Sequence, residues 1–180
     1  HALLAYTKNR CLPRYGTWVS GSPTSTFSKS LAPGYRVGWV VPGRYREGVA
    51  WLKYTTSLAS PTPSEYAIAE FMAGGSYNPY LRRIRRVYAR RVAAMSEAVR
   101  RYFPEETRLT RPAGGFVLWV QLPEAVDSLD LYRRALARGI AITPGYLFSA
   151  AGYYPNFIRL NAANWSEEAE RAVEELGSLI

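Results

Sequence analysis

STFSKSLAPGYRVGW, residues Ser25 to Trp39, sits inside two runs of β-branched and aromatic residues, TSTFS (Thr24 to Ser28) and RVGWVVP (Arg36 to Pro42), joined through KSLAPGY. Such runs favour extended backbone, and Pro33 with Gly34 punctuates the chain between them, so a strand, a loop and a second strand are expected. The residues that can do chemistry gather at that loop. Lys29 follows the hydroxyls of Thr26 and Ser28, and Arg36 comes seven residues on. A bare Ser-Lys before Pro-Gly is an ordinary exposed turn. Fifteen residues of this make-up, in a chain whose only lysines are Lys8, Lys29 and Lys53, favour a built site instead.

Outward from this stretch, residues 1 to about 22 carry Pro13, Gly16, Gly21 and Pro23 and predict a loop-rich lead-in, with one short strand near Tyr15 to Ser20. Downstream, an amphipathic helix is expected from Tyr45 to Thr56. SPTPSE breaks it, and Ser64 is the expected cap of a helix running to about Ala73. Gly74 and Gly75 end that helix and mark a domain boundary, giving domains 1–75 and 76–180. After SYNPY, apolar residues Leu81, Ile84, Tyr88, Val92, Met95, Val99 and Tyr102 recur at spacings of three and four, which predicts a long helix to Phe103. Short alternating elements follow: strands FVLWVQL (Phe116 to Leu122), IAITP (Ile140 to Pro144) and FIRLNAA (Phe157 to Ala163), and helices over Leu129 to Arg138 and Glu167 to Ile180. Ser166 is a suitable N-cap for the last, with Glu167 and Glu168 in its positive first turn. An α/β lobe of about three strands with helices on one face is the result.

Composition removes several function classes. At 180 residues and 48% hydrophobic the chain can bury a sizeable core, so disorder is not expected. No run approaches the roughly 18 apolar residues of a membrane span, and a soluble cytoplasmic protein is the expectation. A single cysteine, Cys11, and a single histidine, His1, leave no internal disulfide and no cluster of soft metal ligands, so no metal is expected. A net charge of +9, carried by 20 arginines and three lysines, raises nucleic-acid binding as a possibility. The densest cluster, LRRIRRVYARR (Leu81 to Arg91), nevertheless shows helical periodicity. Arg82, Arg83, Arg86 and Arg90 fall opposite its apolar stripe, as a solvated face does.

The Ser25 to Trp39 stretch resembles the signature around the Schiff-base lysine of fold-type I pyridoxal-phosphate enzymes, the aminotransferase class I and II family. The chemistry of such a site is intelligible from the residue types. A lysine that attacks an aldehyde must present a neutral amine, which desolvation or a neighbouring positive charge provides. A phosphate dianion needs hydroxyl donors and one firm cation, and an arginine fork matches its oxygens. The resemblance implies Lys29 as the catalytic, cofactor-holding lysine, with Thr26 and, less directly, Ser28 as phosphate hydroxyls and Arg36 as the phosphate arginine. In NFIRLNAA (Asn156 to Ala163), Arg159 matches the arginine that grips the substrate α-carboxylate through two parallel hydrogen bonds. The competing expectation for Arg159 is an edge-strand arginine paired with a glutamate of the last helix. RPAGGFVLWVQLP (Arg111 to Pro123) resembles the family's glycine turn and strand at the cofactor cleft, and ITPGYLFSAAG (Ile142 to Gly152) its pocket loop.

Together these motifs imply an α/β chain, the C-terminal part of the pyridoxal-phosphate-dependent transferase fold: the end of the large domain (1–75) and the small domain (76–180). They are most similar to the aminotransferase-like domains of MocR-type regulators in the GntR family, in which a winged helix precedes this fold. Free amino acid aminotransferases share most of them. The resemblance therefore implies an effector-sensing, dimerising regulator domain with pyridoxal 5'-phosphate as cofactor and an amino acid or 2-oxo acid as ligand. The alternative is part of a free aminotransferase. DNA is expected to be bound only through a domain outside this chain. In the family an aspartate, a tyrosine and an asparagine hold the cofactor ring, all upstream of the lysine; no aspartate precedes Lys29 here. Weak cofactor binding and little catalysis are thus expected of the chain by itself. Apolar groups such as Trp18, Phe27, Trp39, Val40, Val41 and Trp51, and the edges of the strands Thr24 to Ser28 and Arg36 to Val41, are expected to be uncovered and to favour self-association.

Overall fold

The structure, a computed structural model, describes residues 17–19 and 22–180. His1, Lys8 and Cys11 lie outside the described residues, as do Tyr15, Gly16 and Ser20 of the first expected strand. The chain divides into two compact units, one ending at Leu81 and the other spanning Arg82–Ile180.

In the first unit, β1 (Thr17–Val19), β2 (Ser22–Thr26) and β3 (Gly38–Val40) form an antiparallel sheet in that order. Both strands around the lysine loop are thus present, but shorter than the residue types suggest. Phe27 and Ser28 belong to the turn: the Phe27 carbonyl accepts from the Leu31 and Ala32 amides at 2.8 and 3.2 Å, which curls the chain away from the ladder. The Thr24 to Ser28 run was expected to leave an open edge. It is instead the central strand, with Thr24 opposite Val40 on one side and Thr17 on the other. Nor is Phe27 uncovered; it is 3% exposed and packs edge-on against Tyr77, ring centres 6.0 Å apart.

Helices α1 (Arg46–Ser57) and α2 (Thr62–Ala73) follow. Pro61, not Ser64, occupies the N-cap of α2, with no side-chain cap bond. Its extended backbone and the proline in the first turn set the helix start, so Ser64 falls inside it. Along α1 no residue is buried, and Trp51 is 66% exposed.

Helix α3 (Tyr77–Tyr102) begins four residues before the expected start, and the boundary between the units falls within it. Pro79 does not delay the helix, because amides of the first turn have no intrahelical acceptor to lose. Leu81, Met95 and Val99 are buried while Arg82, Arg83, Arg86 and Arg90 are exposed, as the periodicity requires.

The second unit is built on an antiparallel sheet in the order β4 (Arg108–Leu109), β5 (Val117–Gln121), β7 (Phe157–Asn161), β6 (Thr143–Pro144). Four strands replace the expected three; β4 is two residues long and carries no alternation to detect. Strand β6 is confined to Thr143–Pro144, the part that pairs with β7. Alternation along β5 and β7 sends Leu118, Val120, Ile158 and Leu160 to one face. There they meet Met95 and Val99 of α3, Leu131 and Ala135 of α4 (Ser128–Ala137), and Val173 and Leu176 of α5 (Glu167–Ser178). Ser166 caps α5 by accepting from the Ala169 amide at 3.2 Å. The helices lie on this one face. The other belongs to Trp119 and Arg159.

Candidate functional site

The lysine loop draws its three phosphate-type groups together. Thr26 Oγ1 lies 3.1 Å from Ser28 Oγ, and the Ser28 amide donates back to Thr26 Oγ1 at 3.1 Å. Arg36 closes the group by donating from Nη1 to Ser28 Oγ at 3.3 Å. The reach across eight residues depends on a tight return. Pro33–Tyr35 form a single 3-10 turn, and Arg36 follows with φ 53°, ψ 32°, in the left-handed region. For a residue with a Cβ that conformation costs on the order of 1–2 kcal/mol, and such strain tends to collect where a side chain must be aimed. The Phe27 amide bonded to the Val37 carbonyl at 2.9 Å holds the base of the loop closed. Gly38 is part of the same design: a Cβ there would stand 2.9 Å from the Ser25 carbonyl oxygen, so only glycine lets β3 approach β2 this closely. Lys29 is exposed, at the turn next to Ser28.

The second candidate group stands on the open face of the other sheet. Arg159 is central in the sheet, on β7 between β5 and β6, with Trp119 and Thr143 directly opposite on the two flanking strands. Its Nη2 donates to Thr143 Oγ1 at 3.5 Å, and its guanidinium carbon lies 5.1 Å from the Phe148 ring centre. The edge-strand alternative does not hold. Ile158 and Leu160 point to the helices, so Arg159 points away from them, and the last helix instead pairs its Glu175 with Arg138 at 2.9 Å. Lys29 and Arg159 therefore belong to different units, each with its own local geometry.

Two features here were not read from the sequence. Aromatic rings surround Arg159: Trp119 meets Phe148 edge-on at 5.1 Å and Tyr154 at 5.5 Å, and stacks on Phe157 at 5.5 Å. Only the alternation of β5 and β7 could have put Trp119 and Phe157 on the arginine's face; Phe148 and Tyr154 arrive from the intervening loop. The other feature is an anchor for that loop. Asp127 caps α4, accepting from the Leu129 and Asp130 amides at 2.9 Å each, and its other oxygen accepts from the Tyr146 hydroxyl at 2.7 Å.

The Asp130 amide and then the Tyr146 hydroxyl hold the Asp127 carboxyl below the usual carboxylate range, while the carboxylate pushes the Tyr146 phenol up. A lowered native pKa means that this stabilisation is present above the unfolded value of about 3.9 and lost as pH falls through the native one. For Tyr146 the raised pKa works the other way: its contribution is present below about pH 10 and lost as pH rises through the native value. Asp127→Ala is expected to destabilise the second unit by about 1 kcal/mol at neutral pH. Denaturant melts should show the gap from wild type closing as pH falls through the lowered native pKa; a gap unchanged in acid contradicts the assignment.

No protein-family model matches the chain. It is 41% identical over 157 residues to the uncharacterised HTH-type transcriptional regulator YjiR of Escherichia coli, covering 87% of this chain and 33% of that protein. With an uncharacterised aminotransferase of Saccharolobus solfataricus it shares 36% identity over 159 residues, covering 87% and 40%. The solved structure of LysN, the α-aminoadipate aminotransferase of Thermus thermophilus in complex with N-(5'-phosphopyridoxyl)-L-leucine, matches with a TM-score of 0.80 at 34% identity, over 88% of this chain and 41% of that one. The chain thus spans between a third and two-fifths of the length of the curated relatives named here. Among the described residues no helix is long and apolar enough to cross a membrane. By sequence the chain is homologous to HTH-type transcriptional regulators and to aminotransferases alike, and it carries part of the fold of the pyridoxal-phosphate-dependent aminotransferases.

Proposed function

We propose that this chain is part of the effector-sensing and dimerising domain of a cytoplasmic MocR-type transcription regulator that holds pyridoxal 5'-phosphate at Lys29. Residues 1–75 would be the end of its large domain and 76–180 its small domain. The observation that carries this reading is the convergence of Thr26, Ser28 and Arg36 within 3.1 to 3.3 Å beside a lysine. Two hydroxyls and a guanidinium are the donor set a phosphate dianion requires, so the residues present fit the cofactor's phosphate end. Arg36 and the hydroxyls bind and orient; Lys29 offers the amine. When bound, the cofactor supplies an aldehyde for that amine and an electron sink for bonds at an amino acid's α-carbon. Arg159 grips the carboxylate of an amino acid or 2-oxo acid. DNA is contacted by a winged-helix segment outside this chain, as the name of the E. coli relative suggests.

The second reading, part of a free aminotransferase, is favoured by the S. solfataricus relative. Steady-state transamination without any amino-acid-dependent change in DNA affinity would decide for it; a changed DNA affinity with negligible turnover supports the regulator.

The phosphate assignment has its own test. Arg36→Gln should weaken pyridoxal phosphate binding by roughly 10- to 150-fold, the loss of one charge-assisted contact, while binding of unphosphorylated pyridoxal changes little. Equal weakening of both, measured by fluorescence titration, would show that Arg36 does not hold the phosphate.

A further inference from the structure

The open face of the second sheet carries one cation in an unusual setting. Every sheet position adjoining Arg159 on this face is uncharged: Trp119 and Thr143 beside it, Phe157 and Asn161 along its own strand, Val117 and Gln121 on the diagonals. The first cation met across the sheet is Arg108 on edge strand β4, with Gln121 between them. What stands close instead is aromatic. The guanidinium lies against the Phe148 ring, which Trp119 meets edge-on, and Trp119 also contacts Tyr154. Phe148 and Tyr154 remain 43% and 40% exposed, so part of each ring is free to meet a ligand.

A guanidinium with one face on a ring still presents its N–H edge to a carboxylate. Beyond that edge, a ligand's side chain meets ring edges and faces, and a second carboxylate placed there would lose water without gaining a cation. Resting on Arg159 as the carboxylate grip, we propose that this face selects carboxylates bearing an aromatic side chain over dicarboxylates, with Phe148 as the specificity-determining residue. Trp119 meets the Phe148 ring edge-on, and Tyr154, packed against Trp119, extends the aromatic wall.

Three unreactive carboxylates test this by calorimetric titration of the intact protein: 3-phenylpropionate, hexanoate and glutarate. 3-Phenylpropionate should bind about tenfold more tightly than glutarate and several-fold more tightly than hexanoate, the range of a well-placed aromatic pair. Phe148→Leu, which keeps an apolar side chain, should weaken 3-phenylpropionate about fivefold and leave glutarate nearly unchanged. Phe148→Tyr, the milder change, should keep the preference. Arg159→Gln should weaken all three by about tenfold or more. If none of the three binds, or Arg159→Gln changes none, the carboxylate grip and the aromatic selection fail together. If Arg159→Gln weakens all three but glutarate or hexanoate binds as tightly as 3-phenylpropionate, the grip stands and the selection is overturned. Loss of the preference in Phe148→Tyr, or equal weakening of all ligands in Phe148→Leu, overturns the selection likewise.

Discussion

Lys29→Ala is expected to abolish covalent capture of pyridoxal phosphate by the full-length protein of which this chain is part. Added cofactor should give an absorbance band near the visible edge in the wild type, and borohydride should fix one pyridoxyl group on the peptide containing residue 29. In Lys29→Ala both should vanish, and in Lys29→Arg as well, because a guanidinium keeps the charge but offers no amine for the aldehyde. The chain contains its own control. Lys53 lies on the exposed helix α1, where the hydroxyls of Thr55, Thr56 and Ser57 donate back to helix carbonyls, whereas Lys29 adjoins Ser28, which Arg36 and Thr26 both contact. Indiscriminate amine chemistry would label Lys53 and Lys29 alike. A label that persists in Lys29→Ala, or that is shared evenly between the two lysines, would remove the basis for the cofactor assignment.

The residues of that cluster were legible in the sequence as types; their convergence was not. Thr26, Ser28 and Arg36 could be named as phosphate-type groups from the motif alone. What brings Arg36 back over eight residues is a single 3-10 turn followed by a left-handed arginine, and propensity disfavours that conformation for any residue but glycine, asparagine or aspartate. The aromatic wall at Arg159 was hidden for a different reason. Trp119 lies 40 positions before Arg159 and becomes its neighbour only through cross-strand register.

Elements with strong periodicity were read well, as α3 shows, because burial alone dictates their face. The errors cluster where local and tertiary demands part. Strand β4 has two residues and exists only because Leu109 pairs with Val120. Ser64 has a better capping side chain than Pro61, yet the helix starts where the backbone is already extended. The expected exposure of Phe27 failed because its partner, Tyr77, stands 50 positions away at the start of another helix.

Gly177→Ala should destabilise the second unit by about 2 kcal/mol, although helix propensity argues for the opposite sign. In an open helix, replacing glycine by alanine stabilises by roughly 0.5–1 kcal/mol, since alanine loses less backbone freedom on folding. Gly177 lies near the end of α5, immediately after buried Leu176, where α5 runs against the last residue of α3. A Cβ at 177 would collide with the Tyr102 carbonyl group, standing 2.9 Å from its carbon. That obstacle is backbone, so it cannot swing aside as a side chain could. One helix must shift, and Leu176 and Val173 would be withdrawn from Leu131 and Val99 in the core. Overpacking of this kind typically costs about 1–3 kcal/mol. For a unit of this size, about 2 kcal/mol corresponds to a fall in melting temperature of roughly 8–16 °C. Gly48 supplies the comparison, because it lies in α1 with nothing within 4 Å of the place a methyl group would take. Gly48→Ala should therefore leave stability unchanged or raise it, and hydrogen exchange should place the damage of Gly177→Ala at the α3 and α5 termini. A melting temperature that rises in Gly177→Ala would mean that these two helices are not in the contact that closes the core.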